Sequence, residues 1–255
     1  MHRAIDQVLQ RVRDAKADSD LNYFFSLLLA GEALFKTITL GMVAAIDDDK
    51  DRNRYRLEHA LARADGLGDW GRVLEDALSG PASQYLLVDA RTEQAELARI
   101  SGPADWQYEA VASLKAAVNA LGIDAEELPA KSDLKRWFRL FVTLRNKTRG
   151  HGATQPSKVS LGISDLHESI ECVYQNLSLL RRAWAEILRN YSGKYRVLPI
   201  TDDTSPFDCL RKEAHHSFRN GIYVYFRGFR RVPLLCAGPE LRDFFFANGG
   251  LGPKR

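Results

Sequence analysis

Three cations, a histidine and two glycines fall within nine residues of this chain, from Leu144 to Gly152. The stretch reads Leu-Arg-Asn-Lys-Thr-Arg-Gly-His-Gly and contains no carboxylate that would neutralise it. Arginine and lysine bind phosphate oxygens, and histidine exchanges protons near neutral pH. The cluster therefore predicts a site for a polyanion, with His151 placed to move protons.

The residues before this cluster predict the helix that positions it. Their apolar side chains recur at helical spacing, at Leu134, Trp137, Phe138, Phe141 and Val142. We expect this helix to carry Arg145 and Asn146 at its end, with Ser132 as its N-cap. Gly150 and Gly152 would leave the backbone around His151 free to turn.

Size and composition indicate a soluble globular protein. The chain has 255 residues, of which 45% are hydrophobic and 27% charged, enough for one large domain with or without a small second one. Its cysteines match no zinc spacing and no disulfide framework, which favours a reducing, cytoplasmic location; they are Cys172, Cys209 and Cys236. The most apolar stretch, 21–46, carries Glu32 and Lys36 in its middle, so we predict a buried helix and no membrane span.

The two halves of the chain differ in charge. Residues 1–130 contain 14 Lys and Arg against 22 Asp and Glu, whereas residues 131–255 contain 22 against 11. This asymmetry favours a polyanionic partner, such as nucleic acid, for the second half. The alternative is that the two halves face each other or pair across a dimer.

Hydrophobic periodicity predicts a mainly α-helical fold, a bundle over 1–191 followed by a small β or α+β segment over 192–255. The predicted helices cover 4–17, 21–46, 52–63, 69–79, 82–99, 104–121, 134–146 and 163–191. Short β-branched or aromatic runs predict strands at 195–200, 222–226 and 232–236. Between them, Arg227–Arg231 with Tyr223 and Tyr225 interleaves cations and aromatic rings as single-strand binders do. The alternative there is a strand end with a solvated basic turn.

The central motif resembles the R-x4–6-H motif of the HEPN superfamily. Arg145 matches its arginine, the polar Asn146 follows directly, and His151 matches its histidine. The order of elements over about 20–190 is similar as well. A long apolar helix contains Gly-Glu-Ala-Leu-Phe-Lys at 31–36, and a Gly-Asp-Trp turn at 68–70 precedes the motif helix and a last long helix. The resemblance implies a HEPN-like helical bundle, and it does not extend beyond Ser192.

By this resemblance the chain is expected to be a metal-independent endoribonuclease that needs no cofactor. Such enzymes cut RNA by transesterification and leave a 2′,3′-cyclic phosphate and a 5′-hydroxyl. Arg145 would then hold phosphate oxygens, His151 would transfer the proton, and Asn146 would orient the substrate or cap the helix. Arg149, one helical turn from Arg145, would extend the phosphate-binding face, and Lys147 would lie at its periphery.

The resemblance also implies partners. HEPN nucleases act as homodimers, and helical geometry agrees with this. In a continuous helix, His151 would lie about 120° around the axis from Arg145 and roughly 9 Å along it. One chain would then hold the two side chains apart, whereas two chains could each contribute one of them to a shared cleft. The expected substrate is tRNA or mRNA, and the expected role is defence or toxin-like growth arrest restrained by an inhibitory or sensor protein. Two alternatives stay open. One is a non-catalytic HEPN-type module that binds RNA or nucleotide or scaffolds a complex, and the other is a helical protein-interaction domain.

Overall fold

A computed structural model of the chain describes residues 2–47, 52–149, 156–212 and 218–233. The fold is mainly helical, with a small antiparallel four-stranded sheet in the C-terminal part. The predicted fold class is therefore confirmed. In chain order the helices are α1 (Arg3–Lys16), α2 (Asp20–Ala44), α3 (Asn53–Ala62), α4 (Leu67–Ser79), α5 (Arg91–Ala98), α6 (Trp106–Ala120), α7 (Lys135–Arg149), α8 (Pro156–Asn176) and the single turn α9 (Cys209–Lys212).

Helix α2 is the long apolar helix that the sequence predicts. Ser19 caps it, since the Ser19 Oγ accepts a hydrogen bond from the Asn22 N–H at 3.2 Å. By length and composition α2 could cross a membrane, but 89% of its apolar window is buried within the structure. The charge in its second half is also accommodated, because the Lys36 ammonium lies 5.4 Å from the centre of the Trp70 ring.

Helix α7 carries the motif and buries the predicted apolar stripe. Trp137 and Phe141 are fully buried and stack with their ring centroids 5.1 Å apart. The Trp137 indole N–H donates to the Ser169 Oγ of α8 at 2.7 Å, and the Phe138 ring lies 4.7 Å from that of Phe35 on α2. These contacts hold α7 between α2 and α8.

The N-cap predicted for α7 is wrong by one residue. The carboxylate of Asp133 accepts from the Arg136 N–H at 3.3 Å, which satisfies one of the free amides of the first turn. Ser132 exchanges two backbone hydrogen bonds with Ser101 instead, at 2.8 and 2.9 Å. Its backbone is thus engaged in a β-bridge.

The helix predicted over 82–99 is also only partly present, because 3₁₀ turns at Pro81–Tyr85 and Val88–Ala90 precede the short α5. Leu86 forms a β-bridge with Ile46, and the Leu87 N–H donates to the Ala45 carbonyl at 3.0 Å. The backbone groups that a continuous helix would use internally are therefore bonded to the end of α2.

The sheet contains β1 (Trp184–Arg189), β2 (Tyr195–Pro199), β3 (Gly221–Tyr225) and β4 (Phe229–Arg231), in the order β2-β1-β3-β4. Strands predicted at 195–200 and 222–226 are confirmed. The strand predicted at 232–236 begins with two residues outside any strand, and its remainder lies outside the described residues.

The prediction of a helix over 163–191 is wrong at both ends. Helix α8 already begins at Pro156, whose fixed backbone suits a first helical turn, and it ends at Asn176. The residues from Trp184 then form β1, the inner strand that pairs with both β2 and β3. Trp184 and Ile187 fit a helical stripe and a buried strand equally well, so their spacing could not distinguish the two.

Two compact units emerge from the contacts within the chain. One comprises residues 1–6, 36–91 and 178–255, and includes the sheet. The other comprises residues 7–35 and 92–177, and includes the motif helix α7. Neither unit ends at residue 191, so a separately folding 1–191 domain stays a prediction.

Candidate functional site

The described part of the motif lies in the last turns of α7. Arg145 is half-buried, whereas Asn146 and Lys147 are exposed. Thr148 is buried, and its hydroxyl donates to the Leu144 carbonyl at 2.8 Å. The helix thus delivers Arg145 and Asn146 close to its end, as predicted. Arg149 is the last residue of α7, and His151 lies outside the described residues, so its role stays a prediction.

Arg145 has a carboxylate beside it. Its Nε lies 3.6 Å from the Glu32 Oε2 of α2, and the two side chains are only 29% and 16% exposed. The expectation that no carboxylate neutralises the cluster is therefore wrong at Arg145. Because a carboxylate in the middle of an apolar helix is costly to bury alone, it requires a cationic or hydrogen-bonding neighbour.

Gly31 explains why Glu32 can reach Arg145. A Cβ atom on Gly31 would lie 2.3 Å from the ring of Phe141 on α7, far inside van der Waals contact. Only glycine lets α2 approach α7 so closely. The next residue along α2 is Glu32, and Arg145 lies one turn of α7 beyond Phe141. The pair of helices therefore places the carboxylate against the guanidinium.

A second feature of α7 is an open groove of about 640 Å³. The groove lies on the opposite side of α7 from Arg145, since the nine positions from Arg136 in its wall to Arg145 amount to about 180° around the helix. Three carboxylates line it, so it is poorly suited to a phosphate chain. The lining residues are Asp124, Ala125, Glu126, Glu127, Arg136, Arg139, Leu140 and Thr143.

His167 on α8, which the sequence motifs do not single out, lies in a hydrogen-bonded row. Its Nδ1 lies 2.6 Å from the Tyr23 hydroxyl, and its Nε2 lies 3.3 Å from the Glu171 carboxylate. Burial raises the pKa of Tyr23, and the Glu171 charge adds to the shift. The i, i+4 spacing of His167 and Glu171 on α8 was the available sign of their contact.

No protein-family model, curated protein or solved structure matches this chain. The resemblance to HEPN proteins therefore rests on the R-x5-H motif and on the order of the helices around it. Independently of that resemblance, the structure pairs the half-buried Arg145 with Glu32.

We expect Glu32→Gln to lower the free energy of unfolding by about 1–2 kcal/mol, because it leaves the half-buried Arg145 without its counter-charge. Urea unfolding followed by circular dichroism measures the change. Glu126→Gln is a matched control, since Glu126 also lies 3.6 Å from an arginine nitrogen but is 87% exposed. An exposed pair contributes at most about 1 kcal/mol and often nothing measurable. Equal losses in the two variants would contradict a structural role for the Glu32–Arg145 pair.

Proposed function

We propose that this chain is a metal-independent endoribonuclease of the HEPN type, acting on tRNA or mRNA at a composite site in a homodimer. The observation that carries the proposal is Arg145. It lies in the last turns of α7 with the Glu32 carboxylate 3.6 Å from its Nε, and the exposed Asn146 and Lys147 follow it. A half-buried guanidinium at a helix end is suited to holding a phosphate group.

The proposed chemistry needs two proton transfers. A base removes the proton of a ribose 2′-hydroxyl, whose oxygen attacks the adjacent phosphorus. The bond from phosphorus to the 5′ oxygen breaks, and an acid protonates that oxygen as it leaves. His151 is assigned to these transfers. Arg145 is assigned to the non-bridging oxygens, on which negative charge accumulates in the transition state.

The dimer follows from the spacing of these two residues. Should the helical path continue beyond Arg149, His151 would point about 120° away from Arg145. A two-fold axis near the end of α7 would bring an arginine and a histidine from each chain into one cleft. In a cell the proposed role is growth arrest or defence, with a partner protein that restrains the activity.

The Arg145–Glu32 pair also favours a second candidate, a non-catalytic module that binds RNA or nucleotide or scaffolds a complex. An arginine that satisfies a half-buried carboxylate has a structural purpose without any substrate. In that case the exposed Lys147 and Asn146 would contact phosphate, and the histidine would be dispensable. RNA binding without cleavage distinguishes this candidate from the nuclease.

The product of the reaction tests the proposal directly. Purified chain is incubated in EDTA with a labelled RNA, and the 3′ ends of the fragments are analysed. We expect cleavage in EDTA that leaves a 2′,3′-cyclic phosphate, and no cleavage where the ribose at the cut site is replaced by 2′-deoxyribose. Cleavage of the deoxy-substituted position, or fragments that carry a 5′-phosphate, would contradict transesterification.

A further inference from the structure

One face of the C-terminal sheet is lined by aromatic side chains. Side chains alternate along each strand, so the rings of the strands lie on one side: Arg189 pairs with Tyr195, Ala185 with Tyr223, and Tyr225 with Phe229. The ring of Phe218 packs against three of them, with centroid separations between 5.1 and 6.0 Å. We call this surface the aromatic face; it comprises Tyr195, Phe218, Tyr223, Tyr225 and Phe229.

The aromatic face is only partly covered. Ala185 and Ile187 lie on the same side of the sheet as the rings, and the buried Phe207 covers part of that side, with its ring 5.2 Å from that of Phe229. Of its five rings, Tyr223 is buried and the others are half-buried. Half-buried rings packed edge to face are held rigidly while keeping part of their surface in contact with solvent.

Four exposed cations border one end of this face: Arg189, Lys194, Arg219 and Arg231. The Arg189 guanidinium lies 5.8 Å from the centre of the Tyr195 ring. Its backbone N–H donates to the Asn220 side chain at 2.7 Å, and the Arg231 guanidinium donates to the Asn220 carbonyl at 3.2 Å. Asn220 therefore ties the end of β1 to the end of β4. Burial raises the pKa of Tyr223, and the charges of Arg231 and Arg219 oppose that shift.

None of these four cations forms an ion pair with a carboxylate of the described residues. Two other arginines, in and next to β4, do form ion pairs. Arg227 lies 3.1 Å from Asp89, and Arg230 makes two hydrogen bonds to Asp47, at 3.3 and 3.0 Å. The run from Arg227 to Arg231 therefore does not act as one basic stretch, because two of its arginines are held by acids.

We propose that the aromatic face and its four border cations bind single-stranded RNA. Unpaired bases expose π-faces that stack on aromatic rings, and the phosphates between them are met by lysine and arginine. A duplex hides those π-faces inside its stack, so it cannot use the rings. An acidic peptide would satisfy the cations but would leave the aromatic rings without a matching group. The choice of RNA over DNA rests on the proposed nuclease function, whereas the binding itself does not require cleavage.

The test measures binding in the full chain carrying His151→Ala, so that cleavage cannot interfere. The probe is a fluorescein-labelled oligouridine, followed by anisotropy over a range of salt concentrations. We expect Arg189→Ala with Arg219→Ala to weaken binding about 10-fold or more. The slope of log K against log salt should also become shallower by about 1.4, since each single-strand phosphate contact contributes about 0.7. Tyr225→Leu should weaken binding at least about 5-fold through lost stacking.

Arg230→Ala is the matched control, because this arginine belongs to the same sheet but is held by Asp47. Its affinity should stay within about two-fold of the parent, and circular dichroism checks that each variant is folded. Unchanged affinity in the Arg189/Arg219 variant, or equal affinity for a duplex, would overturn the proposal. Tighter binding of polyglutamate than of oligouridine would overturn it in favour of an acidic protein partner. A failed cleavage assay with intact oligouridine binding would overturn only the nuclease.

Discussion

Arg145→Ala and His151→Ala are each expected to lower the rate of RNA cleavage by about 10²–10⁴-fold, the range for a lost acid–base or charge-stabilising group. Single-turnover cleavage with enzyme in excess measures the chemical step separately from binding. The two variants should differ in affinity. His151→Ala should bind RNA nearly as well as the parent, because the histidine acts on the proton, whereas Arg145→Ala should bind more weakly.

Arg139→Ala provides the control on the same helix. Arg139 is 67% exposed and lies 3.9 Å from Asp133, and six residues place it about 120° around α7 from Arg145. Cleavage by this variant should stay within about two-fold of the parent. Mixing Arg145→Ala with His151→Ala chains should restore part of the activity if the cleft is composite. Undiminished cleavage by either single variant would show that the site lies elsewhere.

Trp137→Ala is expected to lower the free energy of unfolding by about 3–5 kcal/mol, the usual cost of removing a large buried aromatic side chain. Trp137 is fully buried and stacks on Phe141. Its indole N–H donates to the Ser169 hydroxyl, which in turn donates to the Ala110 carbonyl at 2.6 Å. The substitution therefore leaves a cavity between α7 and α8 and removes the first donor of this hydrogen-bond row. Urea unfolding measures the loss.

Leu161→Ala on α8 is the comparison for this prediction. The Leu161 side chain is 71% exposed, so its removal should change the free energy of unfolding by no more than about 0.5 kcal/mol. Trp137→Phe should fall between the two variants, since it keeps a ring in the core but removes the indole N–H. A loss below about 1 kcal/mol in Trp137→Ala would mean that the core closes over the cavity.

The helices were predictable where one local pattern was enough. The stripe of Leu134, Trp137 and Phe141 could face inward only as a helix, and the structure buries all three. Helix α2 was predicted for the same reason, because its apolar residues extend around nearly its whole circumference. In both helices the spacing of the apolar residues along the chain matches the face that the structure buries. No contact with a distant residue was needed for the prediction.

The region from Trp184 to Arg189 shows where a local pattern fails. Its apolar residues, Trp184, Ala185, Ile187 and Leu188, fit the end of a helix or a buried strand. The pairing of β1 with β2 and β3 decides in favour of the strand, because those partners satisfy its backbone groups on both edges. Strand β2 follows β1 after a short loop, but β3 begins only at Gly221, beyond the reach of a local window.

By itself, the sequence determined the mainly helical class, the burial of α2 and α7, and the placement of Arg145 and Asn146 near a helix end. These properties depend on the spacing of neighbours along the chain. Only the tertiary structure decided that Glu32 faces Arg145, that Asp47 and Asp89 hold Arg230 and Arg227, and that Arg189 stays exposed beside Tyr195. The physical reason is that an ion pair acts over a few ångströms in space, and folding alone sets which distant residues come that close.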